Sequence, residues 1–369
     1  MKKILLGFAV FVAAVAAIGA ALGLYVWAQF GSPPSADEVA RFSKLPYYQD
    51  GRFISPEPMQ SFPDRVTGAG AKGWIRFLLP NQNAPTKPLP QALLTADSFA
   101  KTPADLAAYW LGHSSLIIEL EGKRFLVDPV FGNAAPLPFA VRRFVPAPIE
   151  LDELPPIDVV LITHDHYDHL EQAAIRFLRH RNTRFIVPYG VGAHLIKWGV
   201  ERERITEIGW GESVDFGGVA VAAERTIHYS GRSFAMQGTT LWTSYALKGQ
   251  SRRVFISGDS GYGEHFKEIG AKHGAFDLAF IEIDGWNDGW PKTHMFPHEA
   301  IAASHDVGAK AVIPVHWGVF DLARHKWDES IEIVANLAAE DGNITLLTPL
   351  MGEKIEENTK THRWWHGVE

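Results

Sequence analysis

The chain has 369 residues, enough for one large domain or two ordinary ones, and 46% hydrophobic with 21% charged residues describes a globular protein with a substantial core. The net charge is −7, and with Lys2 and Lys3 set aside the remainder stands at −9 with no strongly basic segment. That excludes the positive field a nucleic-acid substrate calls for. Cysteine is absent, so neither disulfides nor thiolate metal ligands exist; an oxidising compartment is compatible with this but not demanded by it.

Lys2 and Lys3 precede Ile4–Phe30, a run of 27 residues without a charge. As a helix it spans about 40 Å, enough to cross a bilayer with some tilt. Val26-Trp27-Ala28 resembles a signal-peptidase site, but the apolar run exceeds the roughly 7–15 residues of a signal h-region, so an uncleaved signal anchor is expected. Two lysines lie before the span and no basic residue follows it until Arg41. This places the N-terminus in the cytoplasm and the body on the extracytoplasmic (periplasmic) side of the inner (plasma) membrane, with a single pass.

Gly31-Ser32-Pro33-Pro34-Ser35 reads as a linker. From Phe42 to about Pro103 the pattern is weak and rich in proline and glycine, predicting an irregular or partly helical wrap. The expected division is therefore an anchor over 1–30, linker and wrap over 31–103, and a single body over 104–369. Strands are predicted at Tyr109–Leu111, Ser115–Leu120, Arg124–Val127 and Val159–Thr163, followed by a helix over Leu170–Arg179, a strand at Phe185–Val187 and a short helix over Gly192–Trp198. The second half repeats the style. Short strands fall at Ile205–Glu207, Ser213–Phe216 and Val219–Glu224, and Leu241–Lys248 pairs with Arg253–Ser257. Leu278–Ile283 is an apolar strand, Pro297–Asp306 a helix, Ala311–Val315 a strand, Glu329–Ala339 an amphipathic helix and Ile344–Leu347 a last strand. Two strand-rich halves with interspersed helices predict two sheets packed face to face with helices outside, an α/β sandwich.

The chemistry concentrates where the run Asp158-Val159-Val160-Leu161-Ile162 stops. Thr163-His164-Asp165-His166-Tyr167-Asp168-His169-Leu170 points several imidazoles and carboxylates into one small volume, the ligand types that Zn²⁺ binds best. Further candidates sit at the ends of other predicted strands: His228, Asp259 in Ser257-Gly258-Asp259-Ser260-Gly261, and His316 in Pro314-Val315-His316-Trp317-Gly318. Seven ligands, His164, His166, Asp168, His169, His228, Asp259 and His316, exceed the four of one closed tetrahedral site. They suit two ions sharing a carboxylate, as in catalytic two-metal centres.

This set resembles the metallo-β-lactamase-fold hydrolases. The resemblance implies a four-layer αββα sandwich with a dinuclear site at one edge and two Zn²⁺ per chain. In that pattern His164, His166 and His228 hold one ion, Asp168, His169 and His316 the other, and Asp259 bridges them. A bridging aspartate is similar to the glyoxalase II and phosphodiesterase branches; the β-lactamase branches with a cysteine ligand do not match a chain without cysteine.

A narrower likeness covers Tyr47 to Leu350. Trp110-Leu111-Gly112-His113-Ser114-Ser115, Val127-Asp128-Pro129, Leu161-Ile162-Thr163-His164, His228-Tyr229-Ser230-Gly231-Arg232, Gly258-Asp259-Ser260-Gly261-Tyr262, Phe266–Gly270 and His294-Met295-Phe296-Pro297-His298-Glu299-Ala300 are similar to N-acylphosphatidylethanolamine phospholipase D and its bacterial RomA-like relatives. Two departures stand near the expected pocket: the tryptophan-rich stretch Trp286–Thr293, and His298 where the family has a glutamate. By the same resemblance His294 lies beside the reacting phosphate and stabilises charge there, so Asp259 and His294 are the candidate catalytic residues. His113 is expected to be structural or supporting, and Asp128 to orient the metal-binding loop. Trp286, Trp290, Phe296, Trp317 and Phe320 are core by default, although their crowding around ligand-bearing segments offers an apolar pocket wall.

The implied function is a membrane-anchored zinc phosphodiesterase of phospholipase D type acting on (N-acyl) phospholipids. The rivals are a lactonase or other acyl-ester hydrolase on a small soluble substrate, and a non-catalytic envelope factor. The partners expected are a lipid or small-molecule substrate and the membrane, with no nucleic acid and with room for a homodimer.

Overall fold

The computed structural model of the protein describes residues 2–55, 57, 83–323 and 325–368. Helix α1 (Lys2–Gln29) carries the uncharged run, and its apolar side chains are exposed along its length. Among the described residues it alone is long and apolar enough to cross a membrane.

Behind it, helix α2 (Ala36–Phe42) starts with a reciprocal cap: Glu38 N–H donates to Ser35 Oγ, and Ser35 N–H donates to Glu38 Oε2 at 2.8 Å. A hairpin of β1 (Tyr48–Gln49) and β2 (Arg52–Phe53) lies in the stretch expected to be irregular. Asp50 and Gly51, at φ 50° and 78°, form the left-handed two-residue turn that matches strand twist, so Asp-Gly was the signal for it. Phe42, Tyr48 and Phe53 pack with Leu241 and Trp242 in a small core of their own. Positions 56 and 58–82 of the expected wrap lie outside the described residues.

The body begins with the meander β3 (Leu106–Gly112), β4 (Ser115–Leu120) and β5 (Lys123–Val127). Strands β6 (Val159–Leu161), β7 (Arg184–Pro188) and β8 (Ile205–Ile208) then add in parallel, with helices α3 (Gln172–Leu178) and α4 (Val191–Lys197) in the crossovers. The second half repeats the plan. Strands β9 (Ser213–Phe216), β10 (Val219–Glu224), β11 (Ser244–Lys248) and β12 (Arg253–Ile256) run antiparallel. Strands β13 (Leu278–Glu282), β14 (Ala311–Val315) and β15 (Thr345–Leu346) continue in parallel. Helices α5 (His265–His273), α6 (Pro297–Asp306) and α7 (Glu329–Asp341) accompany this half. Strand β16 (Lys354–Ile355) returns to β3. The two seven-stranded sheets run β16-β3-β4-β5-β6-β7-β8 and β15-β14-β13-β12-β11-β10-β9.

Period-two alternation assigns the layers. Ala108, Trp110, Leu116, Ile118, Phe125 and Val127 share one cluster with Val221, Tyr245, Leu247 and Val254 of the other sheet. Their neighbours Tyr109, Leu111, Ile117 and Leu126 face outward onto Ile175, Leu178, Val191 and Leu195 of α3 and α4. Mixed sheets packed face to face and flanked by helices are the observed architecture. Five predicted strands are shorter than expected, β12 and β13 by one residue and β6, β11 and β15 by two or three. Strand β6 ends at Leu161 and β11 starts at Ser244, because Thr163 and Thr243 bond each other across the sandwich, Thr243 N–H donating to Thr163 C=O at 3.0 Å. Helix α5 was not foreseen as a helix.

Direction follows from pairing. Strands β3, β5 and β6 point one way in the first sheet, and β10, β12, β13 and β14 do so in the second. Their C-terminal ends carry His113, Asp128, the His164–His169 run, His228, Asp259, Glu282 and His316.

The C-terminus is pinned by tryptophans. Trp317 stacks on Trp110 at 5.2 Å and on Trp364 at 5.4 Å, and meets Trp365 edge-on at 5.9 Å. Trp365 Nε1–H also donates to Glu332 Oε2 at 2.7 Å. Trp317 is therefore core rather than pocket wall. Truncating the buried Trp365 to alanine is expected to cost about 3–5 kcal/mol, the usual loss for a large aromatic core side chain; a denaturant titration showing less than about 1 kcal/mol would refute the pin.

Candidate metal centre

The seven sequence-predicted ligands come together at that shared edge. Asp259 Oδ2 lies 3.1 Å from His316 Nε2, 3.2 Å from His169 Nε2, 3.5 Å from His228 Nε2 and 3.6 Å from His164 Nε2. His166 presents Nδ1 to the same volume, 2.9 Å from His164 Nε2 and 3.3 Å from His228 Nε2. Asp168 Oδ2 lies 3.5 Å from both His169 Nε2 and His316 Nε2. Among the described residues, donor atoms within 4.8 Å of one another form three sets: His164, His166, His228 and Asp259; His113, Asp168, His169 and His316; and Asp259, Glu282, His294 and His316. His113 thus stands closer to the chemistry than the sequence suggested, with Nε2 3.0 Å from Asp168 Oδ2.

The supporting bonds decide which nitrogen of each ring faces inward. His228 Nδ1 must carry its proton, because it meets the Thr293 carbonyl at 3.0 Å, and this leaves Nε2 as a lone pair. Asp128 accepts from Thr163 N–H at 2.7 Å, Thr163 Oγ1–H at 2.6 Å and His169 Nδ1–H at 2.8 Å. With Thr163 Oγ1 donating to Asp128, its oxygen is free to accept from His164 Nδ1–H at 3.0 Å. His164 and His169 therefore also turn Nε2 into the site. Asp128, His113 and His316 hold φ of 42°, 52° and 70°, a left-handed backbone that non-glycine residues adopt at a cost of order 1–3 kcal/mol.

The residues present fit metal ions. His169 Nε2, His316 Nε2 and Asp259 Oδ1 are buried without a hydrogen-bond partner, three donor atoms aimed into one volume. Burial drives His164 and His228 well below the ordinary imidazole range and His166 down to about 4, so all three are neutral at pH 7, the form in which an imidazole can ligate a metal. Burial would do the same to His169 and His316, but Asp259 and Asp168 outweigh it and hold both well above that range. Two carboxylates in so dry a place demand positive charge, which divalent ions would supply. Burial also opposes ionisation of Asp259, yet His169 and His316 keep its carboxyl well below the usual range.

Within the third set, His294 Nδ1 meets the fully buried Glu282 Oε2 at 2.8 Å, and Glu282 Oε1 accepts from Ser260 N–H at 2.7 Å. The His294 ring lies 5.1 Å from that of His228 and 4.9 Å from that of His316. Glu282 was missed in the sequence, although a carboxylate closing the apolar strand Leu278-Ala279-Phe280-Ile281-Glu282 was its signal. Of the aromatics expected near a pocket, Phe320 stands 5.1 Å from the His113 ring, while Trp286 stacks on His325 at 4.5 Å and packs against Phe296. His298 is exposed on α6.

Comparisons with known proteins show the family and the fold. Residues 123–317 match the family model described as beta-lactamase superfamily domain. An uncharacterised protein of Mycobacterium tuberculosis is 37% identical over 328 residues, 87% of each chain. The N-acyl-phosphatidylethanolamine-hydrolyzing phospholipase D 1 of Caenorhabditis elegans is 34% identical over 252 residues, 63% of this chain and 69% of that one. A solved metallo hydrolase of Ignicoccus hospitalis superposes with a TM-score of 0.54 at 20% identity, over 69% of this chain and 99% of that one, a likeness of fold.

Asp128→Asn tests the supporting network. The amide would set an N–H against His169 Nδ1, favour the opposite tautomer and place a proton on Nε2, where a ligand lone pair is needed. Metal retention in a chelator competition is expected to fall about 10- to 100-fold, the scale of losing such a partner; unchanged retention would refute the assignment.

Proposed function

The chain belongs to the beta-lactamase superfamily and is a metal-dependent hydrolase, and from that premise we propose that it is a membrane-anchored phosphodiesterase of phospholipase D type, using two Zn²⁺ and acting on phospholipids, N-acylated ones included. One observation carries the two-ion reading: a single carboxylate oxygen, Asp259 Oδ2, lies within 3.6 Å of histidines drawn from two separate donor sets, His164 and His228 from one and His169 and His316 from the other. His164, His166 and His228 would hold one ion, Asp168, His169 and His316 the other, with Asp259 common to both. Bound there, such ions polarise an ester oxygen and acidify water toward neutrality.

The protein side of the reaction rests on two groups. Asp259 supplies the buried negative charge that would hold both ions. His294 has its Nδ1–H engaged by buried Glu282, so Nε2 is the atom it offers toward substrate; as the imidazolium, with a second proton on Nε2, it stabilises charge on the phosphoryl oxygens or passes that Nε2 proton to the departing alkoxide and becomes neutral. The choice of phospholipid is supported by the identity to the nematode phospholipase D and by the apolar helix α1, which would deliver the site to a lipid surface.

Metal analysis of the purified protein alongside assays on an N-acylated phospholipid, a lactone and a β-lactam tests this reading. About two ions per chain are expected, falling to one in Asp168→Ala or His169→Ala. A fully active wild type holding a single ion sinks the dinuclear centre. His294→Ala is expected to lower kcat by roughly 10²–10³ with metal content intact, the scale of one preorganised donor. If lactone turnover dominates and phosphodiesters are untouched, the acyl-ester reading replaces this one. The anchor is tested separately: a reporter joined after Glu369 is expected to be active outside the cytoplasm, and activity confined to the cytoplasm reverses the orientation.

A further inference from the structure

Helix α1 does not run out into a free linker. Ala28 C=O accepts from Gln172 Nε2 at 2.8 Å and from Trp198 Nε1 at 3.1 Å. Gln29 C=O accepts from Arg232 Nε at 3.0 Å, and the Gln29 amide donates to Gln172 Oε1 at 2.9 Å. Gly31 C=O accepts from Lys197 Nζ at 2.6 Å, and Ser32 N–H donates to His194 Nδ1 at 2.9 Å. Five side chains of the body therefore bond to four of the five residues 28–32.

Two of those side chains face both ways. With Nδ1 of His194 accepting from Ser32, the ring proton sits on Nε2 and donates to Asp165 Oδ2 at 3.2 Å. The other oxygen of Asp165 accepts from Gly231 N–H at 2.7 Å. Arg232 Nη1 donates to Asp165 C=O at 2.7 Å and to Leu170 C=O at 2.8 Å, while its guanidinium lies over the rings of Tyr167 and Trp198. Asp165 stands between His164 and His166, and Leu170 follows His169, so both ends of the ligand loop hang on groups that also grip the tether. His194, Asp165 and Arg232 are buried. The carboxylate of Asp165 is committed to protein donors, which makes it a brace among the ligands. Gly31 closes the arrangement: its φ is +74°, and a Cβ there would land on the His194 ring.

We propose that residues 28–32 are a working part of the metal centre. Seated, they hold His194 and Arg232 as positioning residues that set the backbone of the loop His164–Leu170, and metal affinity depends on that seating. The inference rests on His164, His166 and His169 being ligands. A rigid joint of this kind also keeps the body from swinging beneath its anchor.

The test uses the full chain in detergent micelles, with zinc affinity by chelator competition and the visible absorption of the cobalt-loaded protein as readouts. Gly31→Ala, which displaces His194, is expected to weaken zinc binding about 10- to 100-fold and to alter the cobalt spectrum. Gly19→Ala in the same helix, where an added Cβ meets nothing within 4 Å, should match wild type. Arg232→Lys keeps the charge but loses the fork that joins Gln29, Asp165 and Leu170, and should change in the same direction as Gly31→Ala. It decides the matter if Gly31→Ala fails to fold by circular dichroism. Wild-type affinity and spectrum in folded Gly31→Ala and Arg232→Lys would overturn the proposal. A wild type that takes up no metal would instead overturn the ligand assignment beneath it.

Discussion

One buried carboxylate organises this molecule. Asp259 Oδ2 has four imidazole nitrogens within 3.6 Å and almost no exposure to solvent. Removing an ionised carboxylate from water costs several kcal/mol after relaxation, and only close positive charge and hydrogen bonding repay it. The four histidines come from three loops, after β6, β10 and β14, and the aspartate from a fourth, after β12. The low-dielectric site holds only if all four loops arrive together.

Strand direction brings them together. Each sheet opens with an antiparallel run and continues in parallel, so alternate strands of the first part share their direction with all of the second. Every loop carrying a candidate ligand then leaves from one edge of the sandwich. Regular strands cannot turn so sharply there, and the left-handed backbone at His113, Asp128 and His316 is the cost of the turn. Buried bonds offset it: Asp128 ties β5 to the Thr163 loop, and the Trp110 indole and His316 N–H both donate to the His113 carbonyl. Strain and bonding concentrate on the same few residues, as expected where geometry serves chemistry.

The site has two kinds of support with different consequences. Asp128, Thr163 and Thr293 act on individual rings and decide which nitrogen each turns inward. Arg232 bonds the backbone of the His164–Leu170 loop and His194 bonds the Asp165 carboxylate within it, and both also bond the chain leaving α1. Glu282 is a third case: it orients His294, at the rim of the clusters. Burial raises the Glu282 carboxyl above its ordinary range against the opposing pull of His294, the reverse of Asp259, whose histidines hold it well below.

The sequence alone determined what is local. Period-two alternation marked the strands, the uncharged run marked α1, and the His-x-His-x-Asp-His spacing after an apolar strand marked one wall of the site, because each depends on neighbours within a few residues. Asp259, His228 and His316 were legible for a weaker reason: each follows a strand, and the family pattern singled them out. The boundaries of β6 and β11 were not legible, since a bond between Thr163 and Thr243, 80 residues apart, sets both. Nor were the roles of His113, Glu282 and Asp165. Spacing cannot tell that His113 meets Asp168, that Glu282 backs His294, or that Asp165, flanked by ligands, points away to His194 and Gly231. Tertiary structure decided these, because a side chain's partner depends on which strand ends meet at the shared edge, and short-range patterns carry no record of that.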